Sequence, residues 1–133
     1  MGFPSQLEFD SYCSGAIACF LSSRAATPPS TPPSPVIIFN PTYLSEAPAV
    51  IAGVLVHEGT HFQQYLDVTL LDTSLSVVDI EFRAWWNAAA FWQNVRTAFL
   101  PASTVVEQTN ENGYQAALQG EAALRDLIAA LYT

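Results

Sequence analysis

The sequence predicts a mainly α chain with a minor β element, an α+β fold of about four helices. Three observations carry this expectation. The segments Glu46 to Asp67, Ser76 to Phe99 and Asn110 to Leu131 place apolar residues at helical spacing. The run Val36 to Asn40 (VIIFN) is β-branched and aromatic, and prolines bound it on both sides. Thr27 to Pro35 (TPPSTPPSP) suits neither a helix nor a central strand, because proline removes donors and fixes φ.

In chain order, Ser5 to Ser23 reads as a first helix, with Leu7, Tyr12, Ile17 and Phe20 among its apolar positions. The proline-rich stretch 27–35 is a stiff connector inside one domain spanning 1–133, since neither flank is long enough to fold alone. After the strand Val36–Asn40 comes the second helix, Glu46 to Asp67, with Pro48 in its first turn, where a missing N–H costs little. The third helix stops before Pro101. The fourth turns Tyr114, Ala117, Leu124, Ile128 and Leu131 inward, and Gly120 weakens its middle. Thr104 to Gln108 is either a second strand or the start of that last helix.

Hydrophobic residues make up 50% of the 133 and charged residues 12%, about half the usual charged share of roughly 25%. The apolar excess suffices for a core and for a homo-oligomer surface as well. The formal net charge is -8, there is no lysine, and Arg24, Arg83, Arg96 and Arg125 are scattered. Nucleic-acid backbones and anionic membranes both require clustered positive charge, so neither is an expected partner. The apolar run Ala47 to Val56 is far short of a bilayer span. Glu8 and Asp10 precede the apolar Gly15–Leu21 stretch with no basic residue, so no signal peptide is read and a cytoplasmic location is the default expectation. Cys13 and Cys19, six apart on the expected first helix, point to different faces and read as two small buried residues rather than a disulfide.

The chemistry lies in His57-Glu58-Gly59-Thr60-His61, an HExxH motif. Residues i and i+4 of a helix point the same way, so His57 and His61 can share one ion, and Glu58 can reach a water beside it. Zinc in a catalytic site takes three protein ligands and lowers the pKa of a coordinated water to about 7, within reach of a carboxylate base. These are the only histidines in the chain. Their helix is the most apolar one, and polar groups on an apolar stripe are costly unless something satisfies them.

Two acids compete for the third ligand. Asp67 follows His61 by six residues, but a continuing helix carries it roughly 100° away from the histidines. Gln64 also stands where a helix-breaking glycine would be needed. Glu81 shares a helical stripe with Val77, Val78, Ala84, Trp85, Ala88 and Trp92, and so points into the core. Ala84 one turn later allows close helix approach. Asp79 shares a stripe with Arg83 and reads as a solvent-facing i,i+4 pair. Glu81 is therefore the expected ligand.

With these residues in hand, Val36 to Trp92 resembles the gluzincin branch of the zincin metallopeptidases: a strand, an HExxH helix, and a later helix bearing a glutamate. Nineteen residues separate His61 from Glu81, similar to thermolysin-type spacing. The resemblance implies one zinc ion on His57, His61 and Glu81, Glu58 as general base, and a substrate cleft lined by Val36–Asn40. An exposed strand edge there would hold a peptide or protein substrate by strand addition. The family follows its ligand glutamate with ExxxD, whereas Trp85 stands at that position here. Support for the histidines then falls to Asp72 or a backbone carbonyl. The family's oxyanion-binding histidine or tyrosine falls to Tyr114, with Tyr65 and Arg83 as alternatives. Trp85, Trp86 and Trp92, at helical spacing, read as core, with Trp86 falling toward the polar side, where it can face a partner. The whole reads as a minimal zincin-like zinc hydrolase, with a non-enzymatic, metal-stabilised helical interaction module as the rival.

Overall fold

The computed structural model describes residues 4–21, 36–67 and 74–132. The connector 27–35 and Asp72 lie outside them. The described residues form α1 (Gln6–Cys13), β1 (Ala18–Leu21), β2 (Val36–Phe39), α2 (Pro48–Leu66), α3 (Val77–Val95), α4 (Val105–Gln119) and α5 (Glu121–Tyr132). Short 3-10 turns at Pro41–Tyr43 and Arg96–Phe99 complete the set. The chain is thus mainly helical with a small β element, as expected.

Two boundaries differ from expectation, each for a local reason. The first helix ends at Cys13 instead of Ser23, because the chain reverses at Gly15 (φ 84) and returns as β1. Cys13 and Cys19 then face each other across that reversal and form a disulfide, with Cα atoms 6.4 Å apart, which corrects the reading of two separate thiols. The last helix is two helices, because Gly120 takes φ 118, a conformation no helix interior contains. Thr104 to Gln108 opens α4: the Thr104 hydroxyl accepts from Glu107 N–H, and the Glu107 carboxylate caps the Thr104 N–H in return.

β1 and β2 pair antiparallel, with Ala18 opposite Phe39 and Phe20 opposite Ile37. The Asn40 N–H donates to the Ile17 carbonyl at 2.8 Å. This register turns the main chain of Cys19 and Leu21 toward β2, and that of Ala18 and Phe20 toward the opposite edge. Phe20 lays its ring against Phe62 and Tyr65 of α2, with centroids 5.7 and 5.8 Å away. The main core joins Ala18, Phe39, Val50, Val54, Trp92 and Val106 between the hairpin and α2, α3 and α4. A smaller cluster of Phe9, Val36 and Ile38 lies under α1.

Asp79 departs from its expected pairing with Arg83. It closes a capping box with Ser76 at the start of α3 and binds Arg125 of α5 at 2.8 Å. At the far end of α3, Arg96 Nε donates to Glu111 Oε1 at 2.9 Å, and Trp92 Nε1 donates to the same atom at 3.0 Å. Arg96, with burial opposing, holds the Glu111 carboxyl down from its usual 4.5 to about 2. A folded-state pKa below the unfolded one contributes stability that is complete above the unfolded value and lost as pH falls through the folded one. Glu111→Ala is expected to cost about 2–3 kcal/mol near neutral pH, since it leaves Arg96 and the Trp92 N–H without an acceptor. The cost should shrink as pH falls from about 4.5 toward 2. Urea titrations of both chains at pH 7 and pH 2.5 check this, and a cost equal at the two pH values would defeat it.

Candidate metal centre

Helix α2 changes character along its length. Its first half buries Val50, Gly53 and Val54, and its second half buries Glu58, Thr60, His61 and Gln64. Buried polar groups need partners, and α3 supplies several of them. Asn87 Nδ2 donates to the Thr60 hydroxyl at 3.1 Å, while that hydroxyl donates to the Val56 carbonyl at 2.9 Å. Gln64 Nε2 donates to the Ile80 carbonyl at 3.0 Å.

The Gln64 amide fixes a tautomer. With its nitrogen committed to Ile80, its oxygen faces His61 Nδ1 at 2.8 Å. An amide oxygen only accepts, so Nδ1 carries a proton, and once the Nε2 proton that faces the Glu81 carboxylate is lost, Nε2 is the nitrogen left with a lone pair. That is the arrangement a metal-binding imidazole requires. Gln64 therefore does for His61 what Asp72 or a backbone carbonyl was expected to do. The signal was present in the sequence, because Gln64 lies three residues beyond His61 on the same helix face.

Glu81 projects from α3 between the two rings. His57 Nε2 lies 3.0 Å from Oε2 of Glu81, and His61 Nε2 lies 3.1 Å from Oε1. One ligand atom from each of His57, His61 and Glu81 falls within 4.8 Å of the others. Tetrahedral bonds of about 2.0–2.1 Å place ligand atoms about 3.3–3.4 Å apart. The two nitrogen–oxygen distances are already close to that, while the widest separation, up to 4.8 Å, must close by about an ångström or more around one ion, and two nitrogens with one carboxylate are a donor set suited to a divalent metal. These three residues can hold a metal ion. Asp67 caps the C-terminus of α2, where Gln63 Nε2 donates to it at 3.1 Å, and is not part of the cluster.

Electrostatics bind the cluster together. Burial opposes the charge on Glu81, yet hydrogen bonds from His57 and His61 hold its carboxyl down at about 2. Burial likewise opposes a charged His61, but the Glu81 hydrogen bond and charge outweigh it, and its pKa rises. Glu58 is 7% exposed and shifts upward, chiefly through burial, against the pull of His57, His61 and the Phe20 backbone N–H.

A cleft of about 410 Å3 opens beside His57 and Glu58. One wall is Gly15 to Ala18, and the opposite side carries Trp85, Ala88, Asn110 and Tyr132. This corrects two expectations. The strand bordering the cleft is β1 with its preceding turn, not Val36–Asn40, because β2 pairs behind β1 and packs on the core. The tyrosine at the cleft is Tyr132 of α5, not Tyr114. Tyr114 lies under Arg96, whose guanidinium carbon sits 4.4 Å from the ring centre, and it borders a separate small hollow with Trp86 and Leu118. Tyr65 and Arg83 are exposed and do not line the cleft either. Of the tryptophans, Trp92 is core, Trp86 is 43% exposed, and Trp85 faces the cleft. Sequence reasoning missed Tyr132 because the expected continuous helix carried no break at Gly120, and that break resets the phase of α5.

The disulfide brackets the cleft wall, since Gly15 to Ala18 lie between Cys13 and Cys19. Asn40 steadies the same wall, its Nδ2 donating to the Ala16 carbonyl at 2.9 Å. Reduction is expected to cost about 2 kcal/mol of stability. Hydrogen exchange should quicken first at the Cys19 and Leu21 amides, which face β2, and leave α4 unchanged. Equal quickening throughout the chain would count against a local role.

No protein-family model, curated protein or solved structure matches the chain.

Proposed function

We propose that this chain is a zinc-dependent hydrolase, specifically a small metallopeptidase of gluzincin type. The observation that carries the reading is the meeting of His57, His61 and Glu81 at one point with Glu58 beside them on an open cleft. Zinc bound there would activate a water and polarise the substrate carbonyl.

The residues of the chain supply the rest. Gln64 keeps the His61 lone pair on Nε2. Glu58 accepts a proton from the attacking water, and its burial-raised pKa makes it a stronger base than an exposed glutamate. It then passes that proton to the departing amine. Tyr132, in place of Tyr114, is the tyrosine whose side chain borders the cleft. Ala18 turns main-chain groups toward the cleft side of β1, and an extended peptide or protein substrate can pair with them. None of the arginines lines the cleft among the described residues, and its body is apolar, which favours uncharged peptide segments over acidic ones.

The open cleft beside Glu58 favours this reading over a metal-stabilised interaction module, which has no need of one. Among the described residues no helix is long and apolar enough to cross a membrane. The disulfide suits an oxidising compartment better than the expected cytoplasm. The test is metal analysis of protein purified without chelator, followed by cleavage of a broad peptide library. One zinc per chain with cleavage supports the proposal. A zinc-loaded chain that cuts nothing favours the interaction module.

A further inference from the structure

Trp85 stands one helical turn after Glu81 and touches more of the centre than any ligand requires. Its ring meets the His57 imidazole edge to face, with centroids 5.5 Å apart and planes at 90°. Its Nε1–H donates to the Tyr132 hydroxyl at 3.2 Å. With that N–H occupying an oxygen lone pair, the phenol proton is free to point elsewhere, and Glu81 is its hydrogen-bond partner. Burial, then the nearby Glu81 charge, push the Tyr132 pKa above its usual range. Helix α4 has made room for the indole. A Cβ at Gly113 would lie 2.7 Å from Cε3 and 2.9 Å from Cζ3 of Trp85, so only glycine fits there. The backbone of one helix is thus moulded to one ring, which fixes where that ring sits.

We propose that Trp85 is a positioning residue of the metal centre: its ring sets the plane of His57, and its N–H holds the Tyr132 hydroxyl against Glu81. Two of the three ligands are oriented by one indole seated on Gly113, and Gln64 orients the third. Ligand carboxylates and imidazoles owe much of their affinity to such partners. Tyr132 also comes from the last helix of the described chain, so closure of α5 onto α3 completes the centre. The proposal rests on the reading that His57, His61 and Glu81 bind a metal.

The experiment compares the full chain with Trp85→Phe, Tyr132→Phe and the double variant. Zinc affinity is measured by competition with a chromophoric chelator, and cobalt(II) is used as a spectroscopic probe of ligand geometry. Each single variant is expected to bind zinc about 10- to 100-fold more weakly, as loss of an outer partner does. Each should also shift the visible cobalt spectrum. Because Trp85 acts partly through Tyr132, the double variant should bind no more weakly than Trp85→Phe alone. Losses that multiply in the double variant would overturn the proposal, as would wild-type affinity and spectrum in Trp85→Phe. If Trp85→Phe fails to fold, Tyr132→Phe decides, because it removes only a hydroxyl, and unchanged affinity there overturns the proposal. Absence of metal binding by the wild-type chain overturns the metal reading itself. Binding by wild type with unaffected variants overturns only the role of Trp85.

Discussion

Glu81→Ala is expected to abolish stoichiometric metal binding while leaving the helices in place. The carboxylate meets both Nε2 atoms at 3.0 and 3.1 Å, so no other described side chain can replace it without moving α3. Loss of an outer hydrogen-bond partner already costs about 10- to 100-fold in affinity, and loss of a ligand must exceed that. A ligand bound only by the native state, at about 100 times its Kd, raises stability by about 2.7 kcal/mol. For a chain of this size that is a rise in melting temperature of roughly 10 °C. Wild type should show such a rise on adding zinc, and Glu81→Ala should show none. Asp67→Ala and Asp79→Ala should keep the rise, because Asp67 only caps α2 and Asp79 binds Ser76 and Arg125. A rise lost in Asp67→Ala and kept in Glu81→Ala would show that the cluster is misassigned. Metal content by mass spectrometry on the same samples separates loss of the ion from loss of the fold.

How much of this was legible beforehand depends on the range of the physics involved. HExxH and the stripe through Glu81 are helix-periodic signals, and periodicity is local, so both ligating faces followed from residue spacing. The long helices α2 and α3 followed for the same reason. The cleft did not, because it is a meeting of distant segments. Its wall depends on Gly15 reversing the chain after α1, and the apolar Ala16 to Leu21 reads equally well as helix or strand. Sheet pairing then decided which strand faces the cleft, and a lone VIIFN run cannot say which of its edges is covered. The disulfide was hidden by the same helical misreading, since two cysteines six apart face each other only across a turn. Tyr132 was hidden by Gly120, whose φ of 118 splits one expected helix into two. Trp85 was read as core because tryptophans at helical spacing with alanines between them usually are. What distinguishes it is Gly113, twenty-eight positions away in the chain.

Glu58→Gln is expected to leave fold and metal content intact and to lower peptide cleavage by at least about 10²–10⁴, the usual consequence of losing a general base. The glutamine has nearly the same shape and can still meet the Phe20 backbone N–H through its oxygen, so β1 stays in place. It cannot accept a proton. Glu58 is not among the ligating atoms, which come from its neighbours His57 and His61 and from Glu81. A general base gives kcat/KM a limb that rises with pH as its carboxylate loses its proton. The measurement is kcat/KM across the pH range for wild type and variant, each shown to carry metal. Loss of that limb in the variant, at unchanged metal content, is the expected result. Equal cleavage by the two metal-loaded chains would assign Glu58 a structural role and shift the balance to the interaction module.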